Sequence, residues 1–220
     1  MISALSKIQS KPNLSKLFLS IFYGVGIAGL IFFPEKILPF SFMILLMNFI
    51  FILLFETNLD SNKIKYFLFV IAASFAIEMI GVGSGKIFGS YYYGKSLGFS
   101  LKNVPLIIGI NWLVLVLGIV NILSNFKITN DIVFSLCGGI FMVALDGLME
   151  RVAPVLDYWN FFGETAPLKN YIAWFIISFF FFFLFRAMNL KSENKISGFI
   201  YIIQFIFFVI ANVIFWNKTI

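Results

Sequence analysis

Apolar residues run in seven long stretches along the chain, near positions 17–33, 40–55, 66–82, 104–123, 131–148, 170–189 and 196–216. With some tilt, each can cross a hydrocarbon core of about 30 Å as an α-helix. Polar residues gather in the connections. The first stretch follows Lys7, Lys11 and Lys16 and continues through Gly29-Leu30-Ile31-Phe32-Phe33 without a small-residue cleavage site. It therefore reads as an uncleaved first helix. The second stretch is the shortest and carries Asn48 in its middle. The pattern predicts an all-α integral membrane protein, with about seven transmembrane helices in one bundle. Residues 1–220 form a single multi-pass domain in this reading.

Most connections are tight, but 83–103 and 149–169 are long. Both are rich in Gly and aromatic residues, a composition too ordered for linkers. The third and fifth helices run the same way, so both long loops emerge on one side of the membrane. The N-terminal side carries nine basic residues: Lys7, Lys11, Lys16, Lys63, Lys65, Lys127, Arg186, Lys191 and Lys195. The opposite side carries seven: Lys36, Lys86, Lys95, Lys102, Arg151, Lys169 and Lys218. Positive-inside logic favours a cytoplasmic N-terminus, in the cell (inner) membrane.

Composition sharpens this picture. Of the 220 residues, 61% are hydrophobic and 12% charged, against about 25% charged in a soluble domain. Mean hydropathy is +1.00. The chain has no His and one Cys, which excludes membrane di-iron oxygenases, His-ligated haem and HExxH proteases. Cys137 alone can form neither an intrachain disulfide nor an iron–sulfur site. No metal and no cofactor are expected. The net charge of +6 is spread over the connections, so it points to lipid headgroups and not to nucleic acid.

The two long loops lead into matching segments. Val104-Pro105-Leu106 precedes Trp112, and Ala166-Pro167-Leu168 precedes Trp174, each Trp seven residues past its proline. Proline fits the first turn of a helix, and a spacing of seven returns to the same face. Each unit reads as an acid-ended helix, a Gly–aromatic loop and a Pro-started helix with an inward Trp. A parallel repeat or a chance echo would give this pattern.

Ten acids are present, and three stand out from the loops: Glu78 in the third stretch, and Asp146 with Glu150 at the end of the fifth. A spacing of four puts Asp146 and Glu150 on one helix face. Glu78 lies in the last turns of a helix running the same way, so all three belong to one leaflet. An ionisable group in lipid normally faces a cavity or a partner. One reading is structural pairing, with Lys86 and Arg151 near enough in sequence to neutralise Glu78 and Glu150. The other is chemical. Carboxyls crowded together away from water share protons, one acting as acid and its neighbour as base.

The run Phe179 to Phe183 covers every face of its helix and reads as packing or lipid contact. The loop aromatics Phe88, Tyr91, Tyr92, Tyr93, Phe99, Tyr158, Trp159, Phe161 and Phe162 fit two roles. They could form an interfacial belt, or a pocket whose π faces stabilise a cation. Gly81, Gly83 and Gly85 follow a membrane helix and not a strand, so no phosphate loop is read there. Asn111, Asn170 and Asn212 fit interhelical hydrogen bonding.

Two blocks carry a resemblance. One is Gly85-Lys86-Ile87-Phe88-Gly89-Ser90-Tyr91-Tyr92-Tyr93, continuing through Leu97-Gly98, Leu101 and Val104-Pro105 to Trp112. The other runs from Asp146-Gly147-Leu148-Met149-Glu150 through Trp159 and Pro167-Leu168-Lys169-Asn170 to Trp174. Together they resemble the membrane carotenoid hydratases, of the bisanhydrobacterioruberin hydratase and carotenoid 1,2-hydratase type, over residues 70–190. The sequence departs from that pattern at Asn160-Phe161, where a second Trp is expected, and at Gly147.

The resemblance implies addition of water across the terminal isoprene C1=C2 bond of an acyclic carotenoid end. Protonation at C2 leaves a tertiary cation at C1, which water captures. In this reading Asp146, Glu150 and Glu78 divide the acid–base work, with Asp146 the expected donor. Tyr91, Tyr93, Trp112, Trp159 and Trp174 line the end-group pocket, and Asn111 and Asn170 hold the water. The partners implied are a carotenoid within the bilayer, water, membrane lipids and other carotenoid-pathway enzymes.

Other readings stay open. A proton-initiated cyclase or isomerase would use the same acids without adding water, and Pro34-Glu35 resembles a cyclase motif. A proton-coupled transporter would also carry membrane acids, but no matching half-helix pair is visible at midplane. An intramembrane prenyltransferase needs two Asp-rich sites, and only Asp146 and Glu150 approach one.

Overall fold

A computed structural model describes residues 9–163 and 165–216. Its helices are α1 (Pro12–Phe32), α2 (Pro34–Ile37), α3 (Ser41–Phe55), α4 (Ser61–Ser84), α5 (Ile107–Ser124), α6 (Asp131–Val152), α7 (Leu168–Ala187) and α8 (Ser197–Ile214). A 3₁₀ turn at Leu38–Phe40 joins α2 to α3, making one apolar span from Pro34 to Phe55. With it, seven spans are long and apolar enough to cross a membrane. The fold is an all-α seven-helix bundle. Lys7 and Lys218, counted above for sidedness, lie outside the described residues.

Helix ends differ from the hydropathy pattern for local reasons. Pro12 opens α1 ahead of the apolar run, where its missing N–H costs nothing. Asp60 caps α4 by accepting from the Lys63 amide at 2.8 Å, which starts that helix five residues before the predicted 66. Pro105 does not open α5 as expected. It lies in a short strand, β3 (Val104–Pro105), paired with β2 (Ser100–Leu101), and the helix starts at Ile107. Pro167 is the N-cap residue of α7.

Helix α5 is the central post: 78% of its span is buried, against at most 44% for any other. Small residues let its neighbours approach. A Cβ at Gly109 would lie 2.6 Å from the Ile71 carbonyl of α4, and one at Gly118 would lie 2.7 Å from Tyr201 of α8. Helices α6 and α7 close up over Gly139, where a Cβ would meet the Phe175 ring at 2.8 Å. With little hydrophobic drive between helices in lipid, such close packing is what holds them together.

The two long loops meet. Strand β1 (Tyr91–Tyr93) pairs antiparallel with β4 (Trp159–Phe161), with Tyr93 opposite Trp159 and Tyr91 opposite Phe161. Asp157 reinforces the joint by accepting from the Lys95 amide at 2.8 Å. Alternation along the strands turns Tyr91 and Tyr93 inward, whereas Tyr92 is half exposed and packs on Phe162 at 5.3 Å. The loops thus share one side of the bundle and form a lid over the ends of α4 and α6.

On the other side, the bundle is clasped by an ion pair that hydropathy does not reveal. Lys63 Nζ donates to Glu56 Oε1 at 2.9 Å, and Asn194 Nδ2 donates to Glu56 Oε2 at 3.0 Å. All three residues are buried. Lys63 is therefore committed to the segment that follows α3, through Glu56 and the Thr57 carbonyl, rather than to lipid headgroups.

Candidate functional site

Glu78 sits on the buried face of α4, 3% exposed. Three donors converge on it. The Tyr91 hydroxyl donates to Oε2 at 2.5 Å and the Tyr93 hydroxyl to the same oxygen at 2.9 Å. Trp112 Nε1 donates to Oε1 at 3.1 Å. Charge-assisted bonds of this kind are the strong ones, and a carboxylate, having only acceptors, can take all three. Burial, and after it the Glu78 carboxylate, push the Tyr91 and Tyr93 hydroxyls well above the usual tyrosine value. Both therefore stay protonated and remain donors.

Asp146 and Glu150 project from one face of α6, as their spacing requires. Trp159 Nε1 donates to Glu150 Oε2 at 2.8 Å. Asn170, in the first turn of α7, donates through Nδ2 to both acids, at 2.9 Å to Asp146 Oδ2 and 2.9 Å to Glu150 Oε1. Asp146 is fully buried, and its Oδ1 receives no donor from the described residues. Asp146 Oδ2 and Glu150 Oε1 both lie 2.9 Å from the same Asn170 nitrogen, so the two carboxyls are neighbours. One amide thus ties the two carboxyls together, with the Trp159 indole as a second donor to Glu150.

Glu78 and Glu150 face a common cavity of about 30 Å³, room for about one or two water molecules. Around it stand Tyr91, Tyr93, Trp112, Asn111, Trp159, Asn170 and Trp174. Every site residue predicted from sequence lines this space except Asp146, which lies behind Glu150. The Trp112 and Trp174 rings stack at 4.3 Å with 25° between planes. Asn111 Oδ1 is buried without a partner among the described residues.

Ion pairing does not account for the acids. Among the described residues the ion pairs are Lys63–Glu56 and Arg186–Asp131, and neither touches the cavity. Arg151, instead of neutralising Glu150, stacks over the Trp216 ring at 4.8 Å. Lys86 forms no ion pair among the described residues. Asn212 does act as interhelical glue, donating to the Leu148 carbonyl at 2.8 Å.

The match to known families fits this geometry. Residues 38–219 match the family described as carotenoid biosynthesis protein. The chain belongs to that family. It acts in carotenoid biosynthesis, as a multi-pass membrane protein. No curated protein and no solved structure matches the chain.

The family match covers every residue of the acid cavity, and five of the nine loop aromatics line it. Phe88 and Phe161 line it beside the two tyrosines, while Phe99 and Phe162 are exposed. Ile108 and Met149 also line it; as apolar residues within apolar helices they carry no signal in the sequence. Phe181, within the phenylalanine run, supports the site from behind, edge-on to Trp112 at 5.9 Å. Pro34 and Glu35 lie exposed on α2, outside the cavity.

Proposed function

We propose that this carotenoid biosynthesis protein hydrates the terminal C1=C2 bond of an acyclic carotenoid end group, such as that of lycopene or γ-carotene. The observation that carries this reading is the pairing of two unlike acid sites across one aromatic cavity. Glu78 accepts from three donors, a set that favours its charged form. The Asp146–Glu150 pair spreads its donors, the Asn170 amide and the Trp159 indole, over two carboxyls with no cation beside them, an arrangement suited to holding a proton.

The steps follow from that difference once the aromatic walls part to admit the end group, since the cavity as it stands has room for only about one or two waters. Glu150 presents the shared proton to C2, with Asp146 behind it as the reservoir. The C1=C2 π electrons form the new C–H bond and leave a tertiary cation at C1. The Glu78 carboxylate and the faces of Trp112, Trp174 and Tyr93 stabilise that cation. Water held by Asn111 Oδ1 attacks C1 through its oxygen. The proton it releases passes to Glu78 and then returns to the Asp146–Glu150 pair. One alkene and one water give one tertiary alcohol, and the protein ends in its starting state. Residues 70–190 carry all of these groups.

A cyclase or isomerase would end with loss of a proton from carbon instead. The unpartnered Asn111 Oδ1 favours hydration, because it offers an acceptor to water where hydrocarbon offers nothing in return. The test is expression in a host that accumulates lycopene, followed by chromatography and mass of the pigments. Hydration gives a more polar pigment heavier by one water; a pigment of unchanged mass overturns the reading.

A further inference from the structure

A second and larger space lies beside the acid cavity. A cleft of about 310 Å³ opens between α1, α3 and α8. Phe22, Val25, Phe40 and Met43 form part of its wall and are exposed on the outer face of the bundle, so the cleft opens sideways toward lipid. Its walls are almost wholly apolar, interrupted by Tyr23, Ser41, Tyr158 and Gln204. The Tyr23 hydroxyl already accepts from Asn48 Nδ2 at 2.7 Å. Gln204 is different. It is 2% exposed, and its Nε2 finds no acceptor among the described residues. A buried amide donor left unpaired is costly, so such groups normally meet a partner.

The cleft and the acid cavity share one wall. Tyr158 lines the cleft and Trp159 lines the cavity. The two are consecutive, with ring centroids 6.1 Å apart. A chain leaving the cavity past this pair would pass into an apolar slot that opens to the bilayer and contains an unsatisfied donor.

We propose that this cleft is a second binding site, for an acyclic isoprenoid chain ending in a hydroxyl. The apolar walls hold the chain, and Gln204 Nε2 donates to the hydroxyl oxygen. The proposal rests on the hydration reading for what supplies the alcohol: the cleft receives the hydrated end on its way to the bilayer. A hydrocarbon substrate fills the same slot but offers Gln204 no acceptor.

The test uses the full-length protein in lipid nanodiscs, titrated with a monohydroxylated acyclic carotenoid or with lycopene and read as retained pigment. The alcohol is retained about tenfold more tightly than lycopene. Gln204→Leu removes that preference and leaves lycopene retention in place, which also reports that the variant is folded. Gly26→Leu fills the cleft, since a Cβ at Gly26 meets nothing within 4 Å, and weakens retention of both pigments. Glu150→Gln leaves the preference intact. Equal retention of the two pigments by Glu150→Gln, which does not turn lycopene into the alcohol, overturns the proposal. So does loss of the preference in Glu150→Gln but not in Gln204→Leu, or displacement of the alcohol by added phosphatidylglycerol. A protein that shows the preference but never hydrates lycopene overturns the hydration reading and upholds the cleft.

Discussion

Trp112 and Trp174 stack at 4.3 Å across the acid cavity, though they are 62 residues apart in the chain. Each stands seven residues past a proline that ends one of the long loops. Those loops pair antiparallel through Tyr91–Tyr93 and Trp159–Phe161. The two segments differ in their acids: one contributes Glu78 and the other the Asp146–Glu150 pair.

Glu150 is the carboxyl that combines cavity exposure with a carboxyl neighbour. Glu150→Gln keeps the size and shape but removes the proton, and its single carbonyl oxygen can accept from Trp159 or from Asn170, not from both. Conversion of an acyclic carotenoid should fall by about a hundredfold or more, measured as product pigment per amount of membrane-inserted protein.

Tyr91→Phe and Tyr93→Phe each delete one donor to Glu78 while keeping the ring in place. Each should lower turnover by about tenfold, and the double variant by more than either, with Glu78 then held by Trp112 alone. Turnover in membranes with matched protein content checks this. Unchanged rates in both single variants would remove Glu78 from the cation-stabilising role.

Trp112 has two functions that substitutions can separate. Trp112→Phe retains an aromatic face against Trp174 but loses the bond to Glu78; Trp112→Leu loses both. The first should cost activity with little change in thermal stability. The second should also destabilise the folded protein by about 3 kcal/mol, seen as a lower midpoint in detergent.

Asn170 donates to both acids of the pair. Asn170→Leu leaves Asp146 without its one donor among the described residues and should reduce activity by about tenfold or more, together with a loss of stability of about 1–3 kcal/mol. Asn170→Gln would not restore the geometry, since the longer side chain displaces the amide from one of its two partners. Thermal midpoint and turnover measured on the same preparation distinguish the two effects.

Much of this was legible in the sequence, because lipid imposes simple rules. Seven apolar runs gave the seven spans, and helix direction alone put the long loops on one side. A spacing of four placed Asp146 and Glu150 on one face of α6. Rarity of acids inside apolar helices singled out Glu78 without any knowledge of its neighbours. What remained hidden depends on tertiary contact. Nothing in the sequence says that Asp146 is sealed behind Glu150, or that one amide of Asn170 spans both. Glu56 reads as a loop acid, yet it is buried because Lys63 and Asn194 reach it from two other elements. Pro105 reads as a helix start, yet the β2–β3 pairing takes it first.

Hydration requires that this cavity protonate an alkene carbon and that water capture the cation. The most direct measurement incubates the protein in nanodiscs with lycopene in ¹⁸O-labelled water, with Glu150→Gln alongside, and weighs the pigments. The account predicts a tertiary alcohol carrying one labelled oxygen from the unsubstituted protein and almost none from the variant. An alcohol without label, a product of unchanged mass, or equal product from both proteins would contradict it.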